Sequence, residues 1–281
     1  MKCDSLELLR CPVCKLELSF DGRTGNGVIR EGSLHCGRCD HDYPIEGGIP
    51  RFIAPKDLVG SNRRFERVYN WMSHLYDSNF FVASRVRRRF WPAGEEKARR
   101  EIMERLEIND DSKVLETGIG TGGNIPYVLS YAHHAEVYGL DISVGMIKQC
   151  VKNLERWQLE ADLFLGNSEE LPFRDECFDV VFHLGGINFF SEKRKAIEEM
   201  IRVAKSGIRI VIADETEKIT GGGILKKSGM RLVYGRRLAE EISTFRSEDM
   251  VKLVPEDTSD VVFDYIWEGN GYLLQFRKPR R

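Results

Sequence analysis

The sequence predicts an α/β fold: a mostly parallel sheet with helices on both faces and an antiparallel end, preceded by a small metal-stapled module. Three observations carry the prediction. From Lys113 onward, short apolar runs alternate with amphipathic stretches, the pattern of repeated strand–helix units. The first such run, from Lys113 to Thr117, passes directly into a turn holding Gly118, Gly120, Gly122 and Gly123. Ahead of it stand two Cys-x-x-Cys pairs, Cys11/Cys14 and Cys36/Cys39.

With 281 residues, 42% of them hydrophobic, the chain has material for one ordinary core plus something smaller, and disorder is set aside. A formal charge of −2 argues against a general polyanion binder, although a local basic face could still serve as one. No apolar run is long enough to span a bilayer, and Met1-Lys2-Cys3-Asp4 lacks the basic and apolar regions of a signal peptide. A soluble, cytoplasmic protein is therefore expected. Seven cysteines, two close pairs and three singles, fit metal binding in a reducing compartment better than a disulfide framework. The expected division is a ribbon over residues 1–53, a helical connector or lid over 54–111, and the main domain over 112–281.

In the first part, the two cysteine pairs are separated by a glycine-rich, strand-prone insert from Leu16 to Leu34. Each pair spans a tight turn, so Cys11, Cys14, Cys36 and Cys39 can converge on one tetrahedral zinc; a segment this short would hardly fold without it. Four cysteines close the coordination shell, which makes the ion structural rather than catalytic. A redox dithiol is the competing reading. His35 and His41 flank the second pair and are read as surface or supporting side chains. Cys3, Cys150 and Cys177 are read as ordinary thiols.

In the connector, Phe65 to Tyr69, Ser84 to Phe90 and Glu95 to Leu106 read as amphipathic helical pieces, broken near Asp77 and again at Trp91-Pro92. Ile102, Met103 and Leu106 form the apolar stripe of the last piece. Arg85, Arg87, Arg88 and Arg89, backed by Arg63, Arg64 and Arg67, make this the most basic part of the chain. They could meet a nucleic-acid backbone, but a solvated or salt-bridged helix face, which needs no ligand, is the preferred reading.

In the main domain, the expected strands are Lys113 onward, Glu136–Asp141, Ala161–Gly166, Phe178–His183 and Ile208–Ala213. Helices run between them, Ser143–Trp157 with a serine cap and Ser191–Lys205. A further helix is expected around Leu238, then two strands, Val261–Trp267 and Gly271–Arg277, meeting in a hairpin. Glycines at a strand's tip can take positive φ and bring backbone N–H groups against a ligand, and the following helix offers its positive end. Spacing alone does not name that ligand. Gly118, Gly120 and Gly123 satisfy the dinucleotide pattern G-x-G-x-x-G, while Glu116, Gly118, Gly120 and Gly122 satisfy E-x-G-x-G-x-G. Asp141, ending the second strand, suits a ribose in either case.

Several phrases carry family resemblances. Leu8-Leu-Arg-Cys-Pro-Val-Cys14, Cys36 to Cys39 and Tyr43-Pro-Ile-Glu-Gly-Gly-Ile-Pro50 resemble the Trm112-type zinc-ribbon proteins, which commonly partner methyltransferases; rRNA guanine-N1 methyltransferases carry a similar ribbon. Glu116 with its glycines, and Gly166-Asn-Ser-Glu-Glu-Leu-Pro-Phe173 leading to Phe178-Asp179, resemble class I S-adenosylmethionine (SAM) methyltransferases over about Lys113 to Ala213. The second phrase has no counterpart in dinucleotide folds. That resemblance implies a Rossmann-like class I sheet with SAM as cofactor. Its methionine end would lie on Glu116, Gly118, Gly120 and Gly122, its ribose at Asp141 and Ile142, and its adenine at Asn167 and Ser168. Asn167 stands where the family usually has Asp, and Ser206-Gly207 where it often has Pro-Gly-Gly. Tyr76-Asp77 resembles a "YD" phrase of the ubiquinone/menaquinone biosynthesis group, in a region of Tyr69, His74 and Tyr76 where such enzymes have a helical lid.

Methyl transfer from a sulfonium asks for alignment and, for a protonated acceptor, a base. His183, leaving the fourth strand, and Tyr76 are the catalytic candidates; the ordinary pKa range of histidine suits His183 to the base role and to cofactor contact. Ile187, Asn188, Phe189 and Phe190 are expected to line an apolar acceptor site, with Asp214 and Glu215 as secondary bases. The fourth strand ends without the Asn/Asp-Pro-Pro-aromatic phrase of amino-methylating nucleic-acid enzymes and without a Pro-Cys nucleophile. The leading expectation is methylation of a small, partly apolar acceptor. RNA base methylation with the ribbon as clamp, a non-catalytic scaffold and an NAD-dependent oxidoreductase are the alternatives.

Overall fold

The computed structural model describes residues 1–53, 58–78, 95–220 and 245–280, with side chains described from residue 97 in the third span, up to residue 70 in the second and up to residue 218 in the third. A seven-stranded sheet forms the body, built from β5 (Lys113–Thr117), β6 (Glu136–Asp141), β7 (Asp162–Leu165), β8 (Val180–Leu184), β9 (Arg209–Glu215), β10 (Ser259–Ile266) and β11 (Gly271–Arg277). Its order is β10-β11-β9-β8-β5-β6-β7, with β11 antiparallel to both neighbours and the other pairs parallel. The connections run outward from β5 through β6 to β7 on one side and from β8 to β9 on the other. The topological switch point therefore lies between β5 and β8, where ligands of such sheets sit.

Strand residues alternate between two cores. Leu115, Tyr138, Phe164, Val181 and Ile210 face one; Val114, Val137, Leu163, Val180, Phe182 and Val211 face the other. Helices cover both, which is why these strands read as near-continuous apolar runs. α2 (Glu95–Arg105) and α3 (Ile125–Tyr131) belong to the second face, where Ile102, Met103 and Leu106 are buried as the stripe predicts. α4 (Val144–Trp157) is capped by the Ser143 hydroxyl accepting from the Met146 N–H at 3.2 Å and ends where Gln158 turns left-handed at φ 55°. α5 (Lys193–Val203) packs Ile197, Met200 and Val203 on the first face. A short α6 (Glu217–Thr220) follows β9.

The amino-terminal module is an antiparallel meander of β1 (Ser19–Gly25), β2 (Val28–Cys36), β3 (His41–Glu46) and β4 (Ile49–Pro50). It is joined to the body by a shared core in which Leu8, Leu9, Ile29, Leu34 and Ile45 meet Phe164, Phe173 and Phe178. Backbone pairing continues across the junction. Arg51 bridges Leu165 in parallel, Leu9 bridges Phe173 antiparallel, and Asp162 at the start of β7 accepts from the Lys2 N–H at 3.1 Å and from the Ser5 hydroxyl.

α1 (Gly60–Ser78) is longer than the Phe65–Tyr69 piece expected from periodicity, because its first turns are fixed by tertiary contacts rather than by an apolar stripe. The Asn62 N–H donates to Ser191 Oγ at 3.3 Å and the Ser191 N–H donates back to Asn62 Oδ1 at 3.2 Å. The helical pieces expected over Ser84–Phe90 and around Leu238, and the arginines from Arg85 to Arg89, lie outside the described residues. Among the described residues no helix is long and apolar enough to cross a membrane.

Phe173 sits where the two modules share their core, fully buried and edge-on to both Phe164 and Phe178 at centroid distances of 5.1 and 5.0 Å. Phe173→Ala is expected to cost about 3–5 kcal/mol of unfolding free energy in urea titrations. A loss below about 1 kcal/mol would show that the junction is not part of the folding core.

Candidate cofactor site and metal centre

Strand register gathers the expected cofactor residues. Thr117 pairs with Leu140 on one side and with His183 on the other, while Asp141 pairs with Leu165. Gly118, Asp141, Gly166 and His183 therefore lie in one row at the carboxyl ends of four adjacent strands.

The glycine turn needs its glycines for two separate reasons. Gly118, Gly120 and Gly122 have φ of +70°, +57° and +77°, the left-handed region that other L-residues rarely adopt. Beneath the turn a side chain would collide: a Cβ on Gly118 would stand 2.8 Å from His183 Cε1, and one on Gly122 2.6 Å from Cys150 Sγ. At Gly120 a Cβ would meet nothing within 4 Å, so this residue turns its bare backbone to open space. Gly123, the third glycine of the dinucleotide pattern, has a φ outside the left-handed region.

Two acidic groups border the turn. Asp141 is buried; its Oδ2 accepts from the Gly120 N–H and its Oδ1 from the Ser143 N–H, both at 2.8 Å. Burial outweighs these bonds and pushes its carboxyl up to about 6. Ile142, half-buried, continues from it. Glu116 is wholly buried, and burial raises it to about 8 despite a hydrogen bond from Asn124 and the nearby Arg99. Its Oε2 is a buried oxygen with no hydrogen-bond partner among the described residues. An unsatisfied carboxyl in such a place is costly unless a donor arrives.

His183 is 1% exposed. Its Nδ1 donates to the Thr117 carbonyl at 2.6 Å, which leaves Nε2 as a buried acceptor without a partner among the described residues. The ordinary titration range expected for this histidine does not hold: burial, against weaker support from Thr117 and Gly185, brings it down to about 4. The ring is neutral at physiological pH, packed under Gly118 on one side and edge-on to Phe190 at 5.1 Å on the other.

At the end of β7, Asn167 Oδ1 accepts from the Glu169 N–H at 3.0 Å and caps a 3-10 turn over 168–170, with Ser168 buried beside it. The amide oxygen keeps a second lone pair for a ligand. Asp214 is an anchor for the acceptor-side loop: its Oδ2 accepts from the Gly186 and Asn188 N–H groups, both at 3.0 Å. The Asn188 amide donates to the Glu215 carbonyl and accepts from the Tyr272 hydroxyl at 3.0 Å. Phe189 is packed on Phe65 of α1 at 4.5 Å. The side chains of His74, Tyr76 and Asp77 lie outside the described residues.

Asn70 is a further residue of this site. Its Oδ1 accepts from the Ser143 hydroxyl at 2.8 Å and the Gly145 N–H at 2.7 Å, pinning α1 over the start of α4. Nothing in a lone helical asparagine points to this. Asn124 was detectable as a polar residue opening a helix, but its bond to Glu116 was not.

These features fit SAM. The turn offers backbone at Gly120, the orphan oxygen of Glu116 and the neutral Nε2 of His183 offer acceptors for a cationic amino-acid end, and Asp141 stands one strand over. Asp141 suits the ribose of either ligand, but the orphan Glu116 oxygen calls for a donor, which the amino group of SAM brings and the pyrophosphate of a dinucleotide does not. By contrast, an open cleft of about 770 Å³ lined by Asp110, Asp179, Arg209 and Arg277 lies at the amino ends of the strands, and Arg209 and Arg277 there are paired with Glu107.

The four ribbon cysteines also converge. Their sulfurs all lie within 4.8 Å of one another, with Cys14 and Cys36 at 3.5 Å. Four thiolates about 2.3 Å from a tetrahedral zinc stand about 3.8 Å apart, so the cluster fits that ion with a closed shell. Each knuckle ends on a left-handed residue, Lys15 at φ 61° and Asp40 at φ 55°, whose N–H donates back to Cys11 and Cys36. His41 is exposed and His35 half-buried, His35 bonded to Asp42 and His41 to the Cys39 carbonyl, and neither joins the cluster.

Comparison with known proteins covers both parts of the chain. A family model described as a methyltransferase domain matches residues 115–212, and one described as Trm112p-like protein matches residues 4–48. A demethylmenaquinone methyltransferase of Thermotoga maritima is 30% identical over 188 residues, covering 60% of this chain and 79% of the relative. Another from Bacillus mycoides is 31% identical over 158 residues, covering 55% of this chain and 63% of the relative, so the chain spans under two thirds of that protein. Among solved structures, Haemonchus contortus phospholethanolamine N-methyltransferase 2 with S-adenosylhomocysteine (SAH) has a TM-score of 0.57 at 15% identity over 85% of this chain and 62% of that one. A chain from a complex containing the Haloferax volcanii Trm112 methyltransferase activator has a TM-score of 0.51 at 14% identity, over 75% of this chain and 98% of that one. With a cofactor crevice of this make and a Trm112-like ribbon ahead of it, the chain belongs to the class I SAM-dependent methyltransferases.

Proposed function

We propose that the chain methylates a small, partly apolar acceptor of the quinone-precursor type, held under α1 at the carboxyl ends of β8 and β9. The roof carries this reading. α1 is fastened to the cofactor side by Asn70 and to the acceptor side by Asn62 and Phe65; Phe189 packs on Phe65, Phe190 on His183, and the Tyr69 hydroxyl lies 3.9 Å from where a Cβ on Gly186 would stand. Aromatic walls under a fixed helix suit a flat ring withdrawn from water better than a base on a polynucleotide. The names of the Thermotoga and Bacillus relatives support the same acceptor class.

In this reading Glu116, Gly118, Gly120 and Gly122 hold the methionine end, Asp141 and Ile142 the ribose, and Asn167 and Ser168 the adenine edge. SAM, when bound, supplies a methyl group on a positive sulfonium. The chain's own part is alignment and exclusion of water. His183, at about 4, is a weak base; its neutral Nε2 serves as an acceptor that orients the cofactor beside Gly118. Tyr76 stays the acceptor-side catalytic candidate on its motif alone. The second reading, RNA base methylation, draws support from the ribbon and from Arg63, Arg64 and Arg67, all exposed on α1.

A labelled-methyl screen separates the two. Label is expected in a demethylated quinol and not in rRNA or tRNA; label confined to RNA would overturn the small-acceptor reading.

Glu116 supplies a pH signature. Its folded value lies above the ordinary carboxylate value, so the ligand-free chain loses stability as pH rises from about 4.5 towards about 8. A cationic ligand favours the carboxylate, so its binding releases a proton in that window and tightens as pH rises. SAM affinity is expected to rise between about pH 6 and 8, by at most about tenfold per unit. Glu116→Gln should flatten the slope in calorimetry, and equal slopes for variant and wild type would remove Glu116 from the site.

A further inference from the structure

The segment from Leu165 to Arg174 contains Asn167 and Ser168, and it is held at its far end by residues that border the metal-binding cysteines and at its near end by Phe52. At its far end, the Arg10 N–H donates to the Pro172 carbonyl at 2.9 Å and the Arg174 N–H donates to the Leu8 carbonyl at 2.7 Å, immediately before Cys11. Lys15, immediately after Cys14, sends its Nζ to the Leu171 carbonyl at 3.3 Å and to Glu199 Oε2 at 2.7 Å. The turn closed by the Lys15 N–H on the Cys11 carbonyl, 2.9 Å, is the same turn that gives the knuckle its shape. Metal geometry thus sets where the Lys15 side chain starts.

The near end is held by a second route. The Phe52 N–H donates to the Leu165 carbonyl at 2.8 Å, and Phe52 Cβ lies 3.8 Å from where a Cβ on Gly166 would stand. The Phe52 ring packs on Tyr43 at 5.1 Å, and the Tyr43 hydroxyl lies 3.3 Å from Cys11 Sγ. A metal-bound thiolate carries no proton, so in the loaded ribbon this hydroxyl is the donor. Outer-shell donors of this kind support metal affinity. Both Tyr43 and Phe52 are buried.

We propose that the zinc-loaded ribbon is a positioning element of the cofactor pocket: Lys15 and the Tyr43–Phe52 pair fix the backbone that flanks Asn167 and Ser168, so zinc and the adenosyl ligand bind with positive linkage. The proposal rests on the reading of Asn167 and Ser168 as the adenine edge. Without zinc the knuckle loses the constraint that shapes its turn, and the segment loses its partners at both ends. Linkage is reciprocal, so the factor by which zinc tightens SAH is the factor by which SAH tightens zinc.

The test uses the full zinc-loaded chain and a colorimetric chelator. Saturating SAH is expected to slow zinc release by about fivefold or more. Lys15→Met keeps the stem but removes the donor, and the Lys15 side chain is 31% exposed, so folding should survive. This variant should retain one zinc per chain, bind SAH several-fold more weakly and lose most of the SAH effect on zinc release, with kcat near wild type; Lys15→Arg should recover part of it. Tyr43→Phe should release zinc faster than wild type. Unchanged zinc release with SAH shown by calorimetry to be bound would overturn the proposal while leaving the cofactor assignment intact. Failure of the wild-type chain to bind SAH at all would overturn both.

Discussion

The hydrogen bond from the His183 ring to the Thr117 carbonyl ties together the two strands on either side of the switch point, and the pocket depends on it. It fixes the imidazole in one tautomer and seats it beneath the glycine turn, where the absence of a side chain at Gly118 leaves room for the ring. Around the same strand ends Glu116 and Asp141 are driven towards their neutral forms by their own burial, and an oxygen of Glu116 and a ring nitrogen of His183 are left as buried acceptors. Such groups raise the energy of the empty state relative to one in which a cation meets them. The preference for a sulfonium nucleoside over a dinucleotide thus follows from burial and charge rather than from glycine spacing, which allowed both.

The acceptor side obeys a different constraint. Its loop is held by one buried carboxylate, Asp214, which gathers the N–H groups of Gly186 and Asn188, and by the Tyr272 hydroxyl reaching Asn188 from the antiparallel strand. Asp214 was a candidate base by position; with its oxygens engaged on backbone donors it is a framework group. The hairpin at the end of the chain therefore matters to the acceptor site although it lies outside the parallel core.

Much of this could be read in the sequence because the signals were local. Periodicity placed the strands to within a residue or two, the serine cap of α4 was visible as Ser143, and the glycine turn, Asp141 and the four cysteines stand in contiguous phrases. The readings that failed depend on what arrives from elsewhere in the chain. The pKa of His183 is set by burial under a turn 65 residues earlier, which no local pattern encodes. The start of α1 is set by reciprocal bonds between Asn62 and Ser191, and the role of Asn70 by α4. Asp162, which opens β7, receives the backbone and hydroxyl donors of the ribbon's first turn.

The placement of the ribbon solves two problems at once. β7 is the last strand of the sheet on its side, and an unpaired edge is a template for unwanted pairing. Arg51 and Phe52 cover that edge by continuing β4 alongside Leu165, so the module protects the strand it docks on. The same strand ends in the segment that reads the adenine in the proposed function, and the edge position makes that segment depend on whatever covers it. In a sheet flanked on both sides by strands the segment could be held by neighbours of the same domain. Here the holding groups come from a small meander whose own core is thin and whose fold leans on four sulfurs. In the proposed linkage the stability of one end of the crevice is tied to metal chemistry that takes no part in methyl transfer.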